Sequence, residues 1–300
     1  MLKIAWSKVF AHPLPVEHRF PMIKYDLIPE QLLYEGIITN ADLFEPIAIE
    51  EVDIILTHDQ SYWHSLKNLL LSPAEERRSG FPHSKELILR ERIIMNGTLQ
   101  SAMFAIQYGV SFNVAGGTHH AFVDRGEGFC LLNVIAISAN YLIKNKLSKK
   151  ILIVDLDVHQ GNGTASIFKN EFRVFTFSMH GEKNYPLQKE QSDLDIELPD
   201  FTDDEYYLKT LKNTLPRLID QVQPDFVFYQ SGVDVLQTDK LGRLALSIAG
   251  CKARDKFVLE ECKRHKLPLS ISMGGGYSPK ISDIVEAHVN TFKLARDIWF

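Results

Sequence analysis

The stretch that decides the fold is Ile151-Leu-Ile-Val-Asp155-Leu-Asp157-Val-His159. Its first four residues form an uninterrupted apolar run, which is typical of a strand covered on both faces of a parallel sheet. The polar residues that follow alternate with apolar ones, so in an extended segment their side chains point to the same side. Because buried carboxylates require a cation or several donors, the stretch predicts a buried strand that ends in a metal site.

Other apolar runs alternate with segments of helical periodicity along the chain. Besides Ile151–Asp155, strands are expected at Phe172–Phe177, Phe226–Tyr229, Leu267–Ser272 and Val52–Leu56. Helices are expected at Ser84–Tyr108, Leu131–Asn145, Thr202–Val222, Ile248–His265 and Pro279–Arg296. Thr202 and Glu205 have the spacing of a capping box at the start of the third helix. The alternation predicts a parallel sheet between two helical layers, and the lack of a linker or repeat predicts one domain over residues 1–300.

Composition excludes several classes of function. The 300 residues carry 33 Lys and Arg against 38 Asp and Glu, a net charge of −5, without the basic stripe of a nucleic-acid-binding protein. The three cysteines (Cys130, Cys251 and Cys262) lack CxxC spacing, which favours a reducing compartment. Neither a signal peptide nor an apolar run of roughly 20 residues is found, so we expect a cytoplasmic protein without membrane contact. Composition does not indicate an oligomeric state.

A third metal ligand is expected from the strand at Phe226–Tyr229. Ser231-Gly-Val-Asp234 follows this strand, and ligands of open α/β sheets bind beyond the carboxyl ends of strands. Asp234 can therefore join Asp157 and His159, although an Asp in such a turn can also merely cap the backbone. One histidine and two aspartates suit zinc, with a coordination position left for water, and iron or cobalt would accept similar ligands.

Gly116-Gly-Thr-His119-His120 places two adjacent histidines after a flexible glycine pair. Such a pair can take a proton from water and give it to a departing amine. Each ring needs an acceptor on its other nitrogen, and Asp155 and Asn162 are suited to this role. A carboxylate behind one histidine and an amide behind the other would give the two rings different proton affinities.

Five motifs together resemble the histone deacetylase family of the arginase–deacetylase superfamily, in that family's order. They are Gly117-Thr-His119-His120-Ala, Gly128-Phe129-Cys130, Asp155-Leu-Asp157-Val-His159-Gln-Gly-Asn-Gly163, Ser231-Gly-Val-Asp234 and Gly274-Gly-Gly276-Tyr277. The resemblance covers roughly Phe20 to the C-terminus. It implies a three-layer αβα fold around a mostly parallel sheet of about eight strands.

The resemblance also implies the roles of individual residues. Asp157, His159 and Asp234 would bind one zinc ion. His120, backed by Asn162, would be the general base and acid, while His119, backed by Asp155, would act electrostatically. The hydroxyl of Tyr277 would stabilise the developing oxyanion.

For the substrate, the resemblance implies a narrow tunnel that grips an alkyl stem. Gly128 and Phe129 would form one wall, Tyr185 another, and Gly275 would lie beside the substrate at the metal. A structural K⁺ near Asp155 and Ser178 is also expected from the family.

Several positions depart from the class I enzymes of that family. Asn162 replaces an Asp, Val134 replaces an Asp that often follows Asn133, and the stretch from Ser178 to Pro186 differs. With His18-Arg-Phe-Pro-Met22, these differences are most similar to class IV and bacterial deacetylase-like proteins. The loop at Gly80-Phe-Pro82 has no Asp to hold the main chain of a peptide.

We therefore expect an amidohydrolase that removes an acetyl or other acyl group from lysine side chains in a protein or peptide, using metal-activated water. One alternative is a deacylase of small amines such as acetylpolyamines, which needs an acidic gate that Glu17 or Glu182 could supply. An arginase-like site with two manganese ions would need more carboxylates than the motifs provide. A non-catalytic acyl-lysine-binding protein is the remaining alternative.

Overall fold

The strand that ends in the metal motif lies inside an eight-stranded parallel sheet. In the computed structural model, which describes residues 1–300, the strand order is β2-β1-β3-β8-β7-β4-β5-β6. The strands are β1 (Lys3–Ala5), β2 (Leu43–Phe44), β3 (Val110–Asn113), β4 (Ile151–Asp155), β5 (Val174–Gly181), β6 (Leu194–Leu198), β7 (Phe226–Ser231) and β8 (Leu269–Met273). All of β3, β4, β7 and β8 is buried, as expected for strands covered on both faces.

Ten α-helices surround the sheet and complete the predicted three-layer fold. They are α1 (Lys24–Tyr34), α2 (Glu51–Ile54), α3 (Gln60–Lys67), α4 (Pro73–Ser79), α5 (Lys85–Tyr108), α6 (Val134–Lys144), α7 (Asn162–Phe168), α8 (Asp204–Val222), α9 (Ile248–Arg264) and α10 (Ile281–Trp299). Helix α5 packs on α6 and on strands β1, β3 and β8, while α10 packs on α1 and α9. One apolar core runs from Leu2 to Ala295.

The register of the sheet places three strand ends side by side. Asp155 of β4 pairs with Gln230 of β7, which in turn pairs with Ser272 of β8. The segments that follow these strands therefore leave the sheet at the same edge. This edge carries the predicted metal motif, Asp234 and the segment Gly274–Tyr277.

The strand predicted at Val52–Leu56 is wrong, because Glu51–Ile54 forms helix α2. Its apolar residues do not share one buried face: Val52 is exposed and Ile54 is buried. Glu51 and Asp53 lie in the first turn of this helix, where carboxylates interact favourably with the helix dipole.

The capping box predicted at Thr202 is also wrong. Asp203 is the N-cap of α8, and its side chain accepts a hydrogen bond from the backbone N–H of Tyr206 at 3.0 Å. The Thr202 hydroxyl instead donates to the carbonyl of Pro199 at 2.8 Å. Where several small polar residues are adjacent, the helix begins after the one whose side chain accepts a hydrogen bond from the first free backbone amides.

Candidate active site

The predicted metal ligands Asp157, His159 and Asp234 form one buried group, whose ligand atoms lie within 4.8 Å of one another. Nδ1 of His159 is 3.0 Å from Oδ1 of Asp157 and 3.1 Å from Oδ2 of Asp234. The first two residues follow β4 and the third follows β7, its neighbour in the sheet. The parallel register thus brings two distant segments to one point.

Backbone amides hold both carboxylates in place. The N–H of Gly275 donates to Oδ2 of Asp157 at 2.7 Å, and the N–H of Val158 donates to Oδ1 of Asp234 at 3.0 Å. A side chain at Gly275 would collide with the Asp234 carboxylate. Gly275 thus supports the ligand group as well as lying in the lining of the cavity.

The electrostatics of this group favour a bound positive charge. Burial and the neighbouring Asp157 carboxylate raise the pKa of Asp234. Burial lowers the pKa of His159, but its hydrogen bonds with Asp157 and Asp234 outweigh this and raise it to about 10. Two buried carboxylates and one imidazole, with a position left for water, fit a divalent ion such as zinc.

The two histidines lie beside the predicted ligand group with their rings 4.1 Å apart, and each has the expected acceptor. Nδ1 of His119 is 2.7 Å from Oδ2 of Asp155, and Nδ1 of His120 is 2.7 Å from Oδ1 of Asn162. Since both oxygens accept, each Nδ1 carries the hydrogen. Nε2 of a neutral His120 is then free to accept a proton.

The two backing groups separate the proton affinities of the histidines. Burial lowers the pKa of His119, but the Asp155 carboxylate outweighs burial and raises it. Burial, together with the nearby His119 and His159, lowers the pKa of His120 well below its ordinary value. His120 is therefore the more readily deprotonated member of the pair, and a general base must be neutral.

Tyr277 contacts the aromatic wall of the same cavity. Its ring lies 6.1 Å from that of Phe129 and 6.0 Å from that of Phe20. Burial and the carboxylates of Asp234 and Asp157 raise the pKa of Tyr277. The hydroxyl consequently stays protonated and can donate a hydrogen bond to an oxyanion.

One cavity brings these groups together. Its lining includes His119, His120, Asp157, His159 and Tyr277. A second cavity, which we call the mouth, shares Gly128 and Phe129 with the first and is also lined by Tyr185. The three predicted tunnel residues thus surround the entrance to the predicted catalytic residues.

Comparisons with known proteins agree with this geometry. A family model described as "Histone deacetylase domain" matches residues 18–292. The chain belongs to the histone deacetylase family. An uncharacterized protein of Picosynechococcus sp. is 42% identical over 99% of each chain, and Histone deacetylase 2 of Arabidopsis thaliana is 26% identical over 89% of this chain and 72% of its own. The crystal structure of a histone deacetylase homologue from Aquifex aeolicus has a TM-score of 0.84 at 23% identity, covering 98% of this chain and 84% of its own.

Membership of the histone deacetylase family supports a deacetylase function, while the class IV likeness stays a prediction. The fold agrees with the arginase–deacetylase expectation. No helix combines the length and the apolar character that crossing a lipid bilayer demands. The K⁺ near Asp155 and Ser178 also stays a prediction; these residues are paired in register on β4 and β5.

Three residues hold predicted site residues or their backbone in place, and the sequence did not indicate them. Oε2 of Glu127 accepts from the Asn162 amide at 3.5 Å, so the amide turns its oxygen toward His120. Oδ2 of Asp239 accepts from the backbone N–H of Tyr277 at 2.6 Å. The fully buried Lys24 donates from Nζ to the carbonyl of Gly274 at 3.0 Å. No motif marks these positions, because each acts on a partner distant in sequence.

Proposed function

We propose that this chain is a zinc-dependent hydrolase that removes an acetyl or other acyl group from lysine side chains. One observation carries the proposal: both histidines, Tyr277 and two predicted metal ligands line one cavity, and the aromatic mouth with Phe129 and Tyr185 adjoins it. Such a site suits an amide at the end of a long alkyl stem. The stem would lie between Phe129 and Tyr185, and the amide would reach the polar end.

Asp157, His159 and Asp234 would hold one zinc ion per chain. When bound, zinc polarises the amide carbonyl and lowers the pKa of a water molecule. The donor set fits this ion, since all three ligands are buried and converge. Residues 1–300 would act as one catalytic domain, because a single core underlies both the ligand edge and the helices.

The protein's own groups would move the proton and stabilise the charge. Nε2 of His120 takes a proton from water as the new C–O bond forms, and returns it to the nitrogen as the C–N bond breaks. His119, held by Asp155, adds positive charge beside the reacting centre. The Tyr277 hydroxyl donates to the carbonyl oxygen while negative charge develops there. The products are a free amine and a carboxylic acid.

Neither Glu17 nor Glu182 is placed to form the acidic gate that an acetylpolyamine deacylase needs. Neither residue lines the cavity or its mouth. A non-catalytic acyl-lysine-binding role would not require the paired histidines with separated proton affinities.

We also propose a cytoplasmic location, because all three cysteines are free.

The test is hydrolysis of an acetyl-lysine peptide by the zinc-loaded protein, measured as free lysine peptide and acetate. We expect turnover in the wild type and a roughly 10²–10⁴-fold loss in His120→Ala, since the general base is removed. Zinc content should not change, because His120 is not a ligand. His64→Ala, which removes an exposed histidine of α3, is the matched control and should retain activity. Full activity in His120→Ala would reject the assignment.

A further inference from the structure

Three arginines line the mouth of the cavity. Arg19, Arg77 and Arg78 lie there together with Tyr185 and Phe129, and all three side chains are exposed. We name them the mouth arginines. Their accumulation at this point contrasts with the net charge of −5 of the whole chain.

The mouth arginines form no ion pair in the protein. Five other arginines with accessible side chains form ion pairs with carboxylates, whereas no mouth arginine has a carboxylate oxygen within the 4.0 Å of an ion pair; the five are Arg125, Arg173, Arg243, Arg264 and Arg296. Glu127 reaches the Tyr185 hydroxyl near the mouth, but it is already paired with Arg125 at 2.9 Å. Glu75 of α4 interacts with the charge of Arg78 at longer range, so the positive charge of the mouth arginines is only partly balanced locally.

The backbone around the mouth arginines is fixed to the tunnel wall. The carbonyls of Arg78 and Ser79 accept hydrogen bonds from the N–H groups of Gly128 and Phe129, at 3.2 and 2.8 Å. On the other segment, His18 bonds the carbonyl of Gly80 at 2.8 Å, and Phe20 packs edge-on against Phe129 at 5.4 Å. The backbone that carries the mouth arginines is thus fixed beside the entrance.

A positive charge at the mouth contacts the parts of the substrate that remain outside the tunnel. The acylated amine fills the tunnel, so the groups next to its stem lie against the mouth arginines. A guanidinium binds a carboxylate through two parallel hydrogen bonds, and a cluster of positive charge also speeds encounter with anions. A polyamine would place further ammonium groups here and would be repelled.

We infer that the mouth arginines select acyl-lysines that are flanked by Asp or Glu in a peptide or protein. This inference rests on the proposed function and specifies its substrate class. It also distinguishes the acyl-lysine substrate from the acetylpolyamine alternative.

A purely structural role offers a different explanation for two of these residues. Arg77 and Arg78 lie in the last turn of α4, where positive charge stabilises the helix end. Such a role would change the thermal stability of the protein but not its preference among substrates. Arg19 lies outside any helix, so the structural role does not account for it.

The experiment compares three peptides of equal length, each with a central acetyl-lysine flanked by Asp, by Asn or by Lys. For wild type we expect kcat/KM to be about tenfold higher with Asp than with Lys, and the difference to shrink at high salt. The combined variant Arg19→Gln, Arg77→Gln and Arg78→Gln should reduce the preference to about twofold. The corresponding Arg→Lys variant should keep part of it.

Arg217→Gln is the matched control, because this arginine is exposed on α8, away from the mouth, and has no ion-pair partner. It should keep the wild-type preference. Equal kcat/KM for the Asp and Lys peptides in wild type would overturn the inference, as would an unchanged preference in the Gln variant.

Fluorescence anisotropy of the same labelled peptides gives a second readout that does not need turnover. Tighter binding of the Asp peptide, lost in the Gln variant, supports the inference, and equal binding overturns it. Absence of hydrolysis for all three peptides would instead reject the proposed function. The two failures are therefore distinguishable.

Discussion

At the ligand edge, three side chains come from the ends of two adjacent strands, whereas the mouth of the cavity is assembled from separate loops. Asp157 and His159 follow β4 and Asp234 follows β7, so the sheet itself sets their spacing. At the mouth, Arg19, Phe129 and Tyr185 are brought together only by tertiary contacts. The residues that carry out the reaction common to a family can lie at the ends of sheet strands, while those that select the substrate lie on loops, which vary more freely in sequence.

The largest expected effect lies at the ligand edge. Asp234→Ala should lose zinc. Its kcat/KM should fall by at least as much as after removal of a proton-transfer group, which is roughly 10²–10⁴-fold. The reason is that the buried site then has too few ligands to hold the ion. Metal content and turnover of the purified variant are the measurements. Asp220→Ala, which changes an exposed carboxylate of α8, is the control, and a zinc-replete Asp234→Ala protein would exclude Asp234 as a ligand.

Between the two regions, Tyr277→Phe should reduce kcat by about 10²–10³-fold without loss of zinc, because one hydrogen bond to the oxyanion is removed. Steady-state kinetics with an acetyl-lysine peptide measure the effect. KM should change much less, since the aromatic ring and its packing on Phe20 and Phe129 remain. A variant with unchanged kcat would show that this hydroxyl does not stabilise the reacting oxygen.

Asn162→Asp should change the pH profile more than the maximal rate. A carboxylate at 2.7 Å from Nδ1 of His120 would raise the pKa of that histidine from its lowered value. Because the general base must be neutral, the acidic limb of kcat/KM should move to higher pH, by about one unit or more. The profile of the wild type in the same buffers is the reference. A limb that stays in place or moves to lower pH contradicts the role of His120.

The smallest expected effect is at the mouth. Gly80 has φ of +84°, and a Cβ there would lie 2.8 Å from the Phe129 ring. Gly80→Ala should therefore raise KM several-fold and lower the free energy of unfolding by about 1 kcal/mol, with kcat nearly unchanged.

Gly36→Ala separates the two effects of Gly80→Ala, which are the backbone strain at positive φ and the collision of the new Cβ with the Phe129 ring. Gly36 has φ of +68°, but nothing lies within 4 Å of a Cβ at this position. It should lose similar stability and keep the wild-type KM. Equal KM values in both variants would mean that the Phe129 wall does not contact the substrate.

The contrast also explains how much was predictable from sequence. The run Ile151–Asp155 and the alternation after it predict a buried strand and ligands on one side, since local geometry alone decides both. Asp234 was predictable because parallel strands end at one edge. By contrast, β1 and β2, with three and two residues, are too short for a periodic signal.

The supporting residues and the mouth arginines could not be predicted, because their partners are far apart in the chain. Lys24 acts on the carbonyl of Gly274, and Arg78 belongs to a segment that bonds Gly128. Only the folded chain places these groups together. Glu127, whose role depends on the orientation of one amide, is a further example.

The most direct test of the central claim is turnover of an acetyl-lysine peptide by protein of known metal content, before and after chelation. We predict one zinc ion per chain, loss of hydrolysis when the chelator removes it, and recovery when one equivalent of zinc is returned. Hydrolysis at the full rate by metal-free protein would contradict the account.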